Sequence, residues 1–98
     1  MPLVEPDLSS EQALRLAAIT KALADPTRLR IVDAVRKATP EAVCQCELLP
    51  LFDMSQPALA KHLGVLIAAG ILGAERRGLW VHYYLLPGML QDLRRWLS

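Results

Sequence analysis

Apolar positions recur at helical spacing over most of the chain and at strand spacing in one stretch. Leu14, Ala17 and Ala18 form one stripe, and Leu16, Ile19 and Leu23 a second, on a helix that Ser9 or Ser10 can cap, Gln12 completing a capping box from Ser9. A helix apolar on two sides calls for two partners. Asp25-Pro26-Thr27 restarts the chain as a helix, with Asp25 as N-cap and Pro26 at its first position. Leu29, Ile31, Val32 and Val35 are its expected inner face, with Arg28, Arg30 and Arg36 outside. Thr39-Pro40 ends that segment; a short third helix is expected over 41–49 and a turn over 50–53. Ser55 caps a fourth helix whose Leu59, Leu63, Leu66 and Ile67 share one face, and Gly70 is suited to end it. Ile71-Leu72 begins a strand, Arg76-Arg77-Gly78 reads as a turn, and residues 79–85 are an aromatic, β-prone return strand. Pro87-Gly88 breaks that strand, and residues 89–97 fit a last helix with Leu90, Leu93 and Leu97 on one side.

That order is mainly α with a β-hairpin wing: a winged helix-turn-helix, α-α-α-α-β-β-α, in one domain over 1–98 behind a mobile arm at 1–8. At 98 residues the chain has the size of one small core, and 53% hydrophobic content suits a domain that also buries surface against a partner. The terminal helices are the expected dimer seam, through Leu14, Leu16, Leu90, Leu93 and Leu97. The longest apolar run, 63–74, is too short for a bilayer, which needs ~20 residues. The N-terminus lacks the basic and apolar regions of a signal peptide, so a cytoplasmic protein without membrane attachment is expected.

Net charge is +1, too small to announce nucleic acid, but its distribution is informative. Residues 21–37 and 55–98 each carry net +3, while 38–54 carries −3. The fourth helix and the hairpin are therefore the basic parts. A reading helix sets its N-terminal residues on base edges in the major groove. Here those are Ser55, Gln56, Pro57 and Ala58, with Lys61 one turn later. Gln56 suits adenine; Ser55, Lys61 and the backbone N–H groups of the helix start suit phosphate; His62 suits either phosphate or base. Arg76 and Arg77 in the wing turn face an adjacent groove or backbone. Trp80, Tyr83 and Tyr84 are expected to pack the hairpin rather than stack on bases.

Cys44 and Cys46 are the only cysteines, just upstream of that reading helix. In a chain without an export signal they are expected as reduced thiols, and positions i and i+2 look badly placed for one bridge. Thiolates favour soft or borderline ions over magnesium, calcium or manganese. On an ideal helix i and i+2 point ~200° apart, so both sulfurs reach one ion only if the helix start bends or unwinds. His82 is expected to be a strand histidine rather than a ligand.

The segments LADPTRLRIVDAV, CQCEL, SQPALAKHLGVLIAAGIL and WVHYYL resemble the ArsR/SmtB family of bacterial metalloregulators, in particular its arsenical-resistance repressors. The resemblance runs from about residue 14 to 87. It implies a homodimer on double-stranded operator DNA, released when As(III), Sb(III) or an organoarsenical binds Cys44 and Cys46. Related repressors often carry a third cysteine where Leu49 stands here. Two thiols fall short of a three-sulfur As(III) centre but suffice for a monosubstituted arsenical. Zinc sites of the family are not matched: residues 89–98 hold Asp92 alone and no histidine, and residues 1–43 hold no cysteine. Other readings are a Cd(II)-, Pb(II)- or Zn(II)-responsive repressor, a thiol redox or persulfide switch on the same cysteines, and a protein–protein module whose helix-turn-helix no longer binds DNA. There is no phosphate-binding glycine loop, zincin motif or Gly-x-Ser-x-Gly, so an enzyme is not expected.

Overall fold

The computed structural model describes residues 4–98. Of the expected arm, residues 1–3 lie outside the described residues; residues 4–9 adopt no helix or strand, and Leu8 packs against the core. The described residues form α1 (Ser10–Leu23), α2 (Pro26–Ala38), β1 (Val43–Cys44), α3 (Gln45–Leu48), a 3-10 turn (Leu49–Leu51), α4 (Gln56–Ala68), β2 (Leu72–Arg77), β3 (Trp80–Leu85) and α5 (Pro87–Leu97). This is the expected helix-turn-helix with a wing, and it is mainly helical.

Local chemistry sets the helix starts. The capping box at α1 forms as read: Ser9 Oγ accepts from the Gln12 N–H at 3.1 Å, and the Ser9 N–H donates to Gln12 Oε1 at 2.9 Å. Asp25 accepts from the Arg28 N–H at 3.1 Å, with Pro26 opening α2. The return strand ends before Pro87 as read, and Pro87 itself opens α5, two residues earlier than expected, because proline lacks only an N–H that the first turn leaves unpaired. Gly70 closes α4 in the left-handed region at φ 75°, where the Ile71 N–H reaches Leu66 O at 3.0 Å.

Two expectations on α2 reverse. Leu29, read as inward, is 52% exposed, and Arg28, read as outward, is half-buried. The buried residues Ile31, Val32 and Val35 stand at i+3, i+4 and i+7 from position 28, so position 28 lies on the inner face. Arg28 is accommodated there because its guanidinium meets Ala22 O and Lys21 O at the end of α1 and lies 3.8 Å from Asp25. A cation at a helix C-terminus pairs with unsatisfied carbonyls and the negative end of the dipole. On α4, Leu59, Leu63 and Leu66 are buried; Ile67 lies at the flank of that face and is exposed.

The expected third helix is corrected. Residues 43–44 are extended and pair with β3, so the hairpin becomes a three-stranded antiparallel sheet of order β1-β3-β2. Only 45–48 is α-helical before Pro50 tightens the chain into the 3-10 turn. In the sheet Val43 lies opposite Tyr83, and both are buried; the next row holds Cys44, His82 and Glu75. The wing turn falls at Gly78-Leu79, one residue later than read: Arg77 pairs with Trp80, and Gly78 at φ 64° takes the first central position. Tyr84 packs as expected, its ring lying over Gly73 where no Cβ would fit.

One core joins these elements. Ile19 of α1, Ile31 and Val35 of α2, Leu48 of α3, Leu63 of α4 and Leu72 of β2 are all buried in it. Leu90 and Leu93 of α5 pack on its edge. Among the described residues no helix is long and apolar enough to cross a membrane.

Candidate functional site

The reader helix presents a clear division of faces. Leu59, Leu63 and Leu66 face the core, and Gln56, Pro57, Ala60, Lys61 and Gly64 face solvent. Ala58 is half-buried. Ser55 Oγ accepts from the Ala58 N–H at 3.3 Å, so its hydroxyl acts as the cap and keeps its O–H as a donor. Because Pro57 has no N–H and that of Ala58 is capped, the backbone offers an anion chiefly the Gln56 N–H. The broader backbone phosphate site read from the sequence is thereby reduced to one donor. Gly64 stands on the solvent face, and a Cβ added there would meet nothing within 4 Å. A mid-helix glycine costs helix stability, and here it leaves a smooth patch on the solvent face of α4.

His62 is not on that face. It is half-buried, and its Nδ1 lies 3.4 Å from Arg28 Nη1. It links α2 to α4 and is poorly placed for a base. Sequence reasoning missed this pair because it set Arg28 on the wrong side of α2. Asp25, beside it, has its carboxyl held below the ordinary range, first by the Arg28 N–H that it accepts.

The wing adds positive charge at its tip. Arg76 Nε donates to Gly78 O at 3.3 Å, and Arg77 pairs with Glu75 at 3.4 Å. As successive strand residues the two point to opposite faces of the hairpin. Trp80, expected in the packing, is 55% exposed, and Leu79 beside it is 87% exposed. The hairpin is too narrow at its tip to cover either.

The thiol pair lies at the seam of β1 and α3. Cys44 is the N-cap of α3, with φ −65° and ψ 141°, and Cys46 is the second residue of that helix. Because Cys44 is extended rather than helical, the 200° separation does not apply. The Cα atoms are 5.1 Å apart and the two Sγ atoms are in bonding contact. This corrects two expectations, that the cysteines stand as reduced thiols and that their spacing is badly placed for a bridge: the structure joins the sulfurs, and no unwinding of α3 is needed to bring them together. Cys44 Sγ also accepts from the Cys46 N–H at 3.2 Å, and Glu47 reaches back to the Cys44 N–H at 3.1 Å, a capping box built on sulfur. Cys44 is only 4% exposed, whereas Cys46 is open to solvent. Gln45 between them accepts from the Tyr83 hydroxyl at 3.4 Å.

Two sulfurs facing one point suit a soft ion. With a metal–sulfur bond of ~2.3 Å and a tetrahedral angle, the sulfurs of a chelate lie ~3.8 Å apart, a separation open to the pair only after two electrons and two protons from a reductant have opened the bond between them. Among the described residues no three His, Cys, Asp or Glu side chains are grouped around one point. Leu49, three residues after Cys46, packs against the core and brings no donor to the pair.

The expected dimer seam divides. Leu16 belongs to the chain's own core and Leu90 and Leu93 to its edge, while Leu14 and Leu97 are 72% and 70% exposed. Trp96, not anticipated, is exposed beside Leu97. The stripe Leu14, Ala17, Ala18 is thus the uncovered side of α1.

Comparison with known proteins agrees with this architecture. Residues 25–73 match the model of the arsR family of bacterial regulatory proteins. The chain is 41% identical to the arsenic resistance transcriptional regulator ArsR1 of Pseudomonas putida over 91 residues, covering 82% of this chain and 70% of that protein. It is 42% identical to the arsenical resistance operon repressor of Escherichia coli K12, covering 68% of this chain and 56% of that one. The solved structure of an ArsR-like transcriptional regulator from Rhodococcus sp. RHA1 superposes with a TM-score of 0.75 at 28% identity, covering 89% of this chain and 79% of its own. With a matching winged helix, a matching family model and relatives that regulate transcription, the chain is a DNA-binding regulator rather than an enzyme, and it belongs to the arsR family of bacterial regulatory proteins.

Proposed function

We propose that this chain is a homodimeric transcriptional repressor that leaves its operator when a trivalent arsenical or antimonial binds Cys44 and Cys46. The observation that carries the reading is the contact of the two sulfurs at the N-cap of α3, the helix directly before the reader helix. Both thiols lose a proton when they take such a ligand. Cys44 Sγ then no longer serves α3 as a neutral cap, and the helix start must readjust. α3 leads through the 3-10 turn into Ser55, the cap of α4, so that readjustment reaches the residues set to face DNA. Gln56 would read a base, with Lys61, Ser55, Arg76 and Arg77 holding phosphates. Leu14 and Leu97, with Trp96, would form the dimer seam.

With two sulfurs and no third thiol, the donor set fits a monosubstituted arsenical better than free As(III). The test is a titration of the reduced protein with phenylarsine oxide and arsenite. One phenylarsine oxide per chain is expected, lost in Cys44→Ser and in Cys46→Ser, with arsenite binding more weakly. Binding that survives either substitution would remove the thiol pair from the sensing role.

The same contact favours a second reading, a thiol switch. There the two thiols would give two electrons and two protons to an oxidant such as a persulfide and close the Cys44–Cys46 bond. A phosphine reductant, which brings no competing thiol, then restores DNA binding in that reading and leaves an arsenical-bound chain, washed free of ligand excess, off its DNA.

A further inference from the structure

We propose that His82 is a third ligand of the thiol centre and that it gives the centre a second ligand class, a soft or borderline divalent cation held by two thiolates and one imidazole. The inference rests on reading Cys44 and Cys46 as the sensing site and names a further residue of it.

Three observations place His82 there. It is the direct cross-strand partner of Cys44 in the antiparallel β1–β3 pair. Such partners project to the same face of a sheet with Cβ atoms ~4.5–5.5 Å apart. With metal–nitrogen and metal–sulfur bonds of ~2.0–2.3 Å, a thiolate and an imidazole on such a pair can share one ion. The second observation is the state of the ring: His82 Nδ1 is buried and has no hydrogen-bond partner. A buried polar atom without a partner costs free energy and is rare. The third is that no neighbour in its row can relieve it. Glu75, on the other side of His82, is exposed and pairs with Arg77.

Among the described residues the three donors are not assembled around a point, and the two sulfurs are bonded to each other. When a thiol reductant supplies two electrons and two protons and opens that bond, the freed thiols can take the separation of a chelate, and Cys44 Sγ is free to share an ion with the ring opposite it. Binding then releases two thiol protons and takes the imidazole in its neutral form. A fourth position is left to water or a small cellular thiol. Imidazole and thiolate together suit Zn(II), Cd(II) and Co(II). A monosubstituted arsenical needs only the two sulfurs, so His82 should matter to the cations and not to the arsenical. His82 also lies on the wing strand, so a cation would tie the start of α3 to β3, which the arsenical does not.

The test uses the reduced full chain. Co(II) serves as the optical probe, Cd(II) as the affinity probe and phenylarsine oxide as the two-sulfur control. His82→Gln is expected to bind Cd(II) at least about tenfold more weakly, since even outer-sphere partners of a metal commonly contribute 10–100-fold. Its Co(II) ligand-field bands should weaken and shift, while phenylarsine oxide binds with unchanged stoichiometry and affinity. Unchanged Cd(II) affinity and Co(II) spectrum in His82→Gln would overturn the assignment and leave the thiol pair standing. Failure of the wild type to bind phenylarsine oxide would instead overturn the sensing site itself. If His82→Gln does not fold, the wild type decides alone: bound cadmium should show scalar coupling to a His82 ring nitrogen in the NMR spectrum, and coupling to sulfur-bearing residues only would refute the proposal.

Discussion

The two cysteines should separate in stability although the proposed ligand capture needs both. Cys44 is buried and caps α3 through its sulfur, accepting the Cys46 N–H at 3.2 Å; Cys46 is solvent-exposed. Cys44→Ala removes a cap, which costs about 0.5–2 kcal/mol at a helix N-terminus. It also leaves a small void, so the loss should fall toward the upper part of that range. Cys46→Ala removes an exposed side chain, with an effect of about 0.5 kcal/mol or less. For a domain of this size each kcal/mol moves Tm by roughly 4–8 °C. Cys44→Ala should therefore melt about 5–15 °C below the wild type, and Cys46→Ala within about 4 °C of it. Cys44→Ser, which supplies a stronger capping atom, should recover most of the loss without recovering any arsenical response. The assay is thermal unfolding followed by circular dichroism under reducing conditions, at one fixed protein concentration because association shifts Tm. Equal losses for the two alanine variants, or no rescue by serine, would refute the capping role of Cys44.

Lys61→Ala should weaken binding to specific and random duplexes alike and reduce the log–log salt slope by ~0.9, read by fluorescence anisotropy at several salt concentrations. Gln56→Ala should cost ~1–3 kcal/mol at one base position per half-site and nothing on random DNA. Gly64→Ala, on an exposed face with open space, should stabilise the fold by up to about 1 kcal/mol in urea titrations while weakening DNA binding through added bulk in the groove. Leu14→Glu with Leu97→Glu, both on exposed positions, should leave the fold intact and give monomers in sedimentation; an unchanged dimer would move the seam elsewhere.

The element order was legible because its signals are local. Asp25-Pro26, the Ser9 box, Ser55-Gln56-Pro57 and Gly70 each settle a helix end within a few residues, and each is found where it was read. What the sequence hid was long-range. Val43 and Cys44 have no strand pattern of their own; they are extended because β3 pairs with them, and that single pairing places the two sulfurs together and sets His82 opposite Cys44. Arg28 misled because a charged residue reads as outward, whereas the carbonyls at the end of α1 make an inner position favourable for it. Trp80 misled in the opposite sense, since an aromatic residue in a strand reads as core and nothing local shows that the wing tip lacks a partner.

The central claim is that ligand capture by Cys44 and Cys46 releases DNA. It is tested most directly by anisotropy on an operator recovered by selection from random duplexes, with phenylarsine oxide titrated into the preformed complex of reduced protein. Release at about one ligand per chain is predicted, with a weakening near 100-fold, or ~2.7 kcal/mol of coupling, and none in Cys46→Ser. A wild-type complex that binds the arsenical and stays on its operator would contradict it.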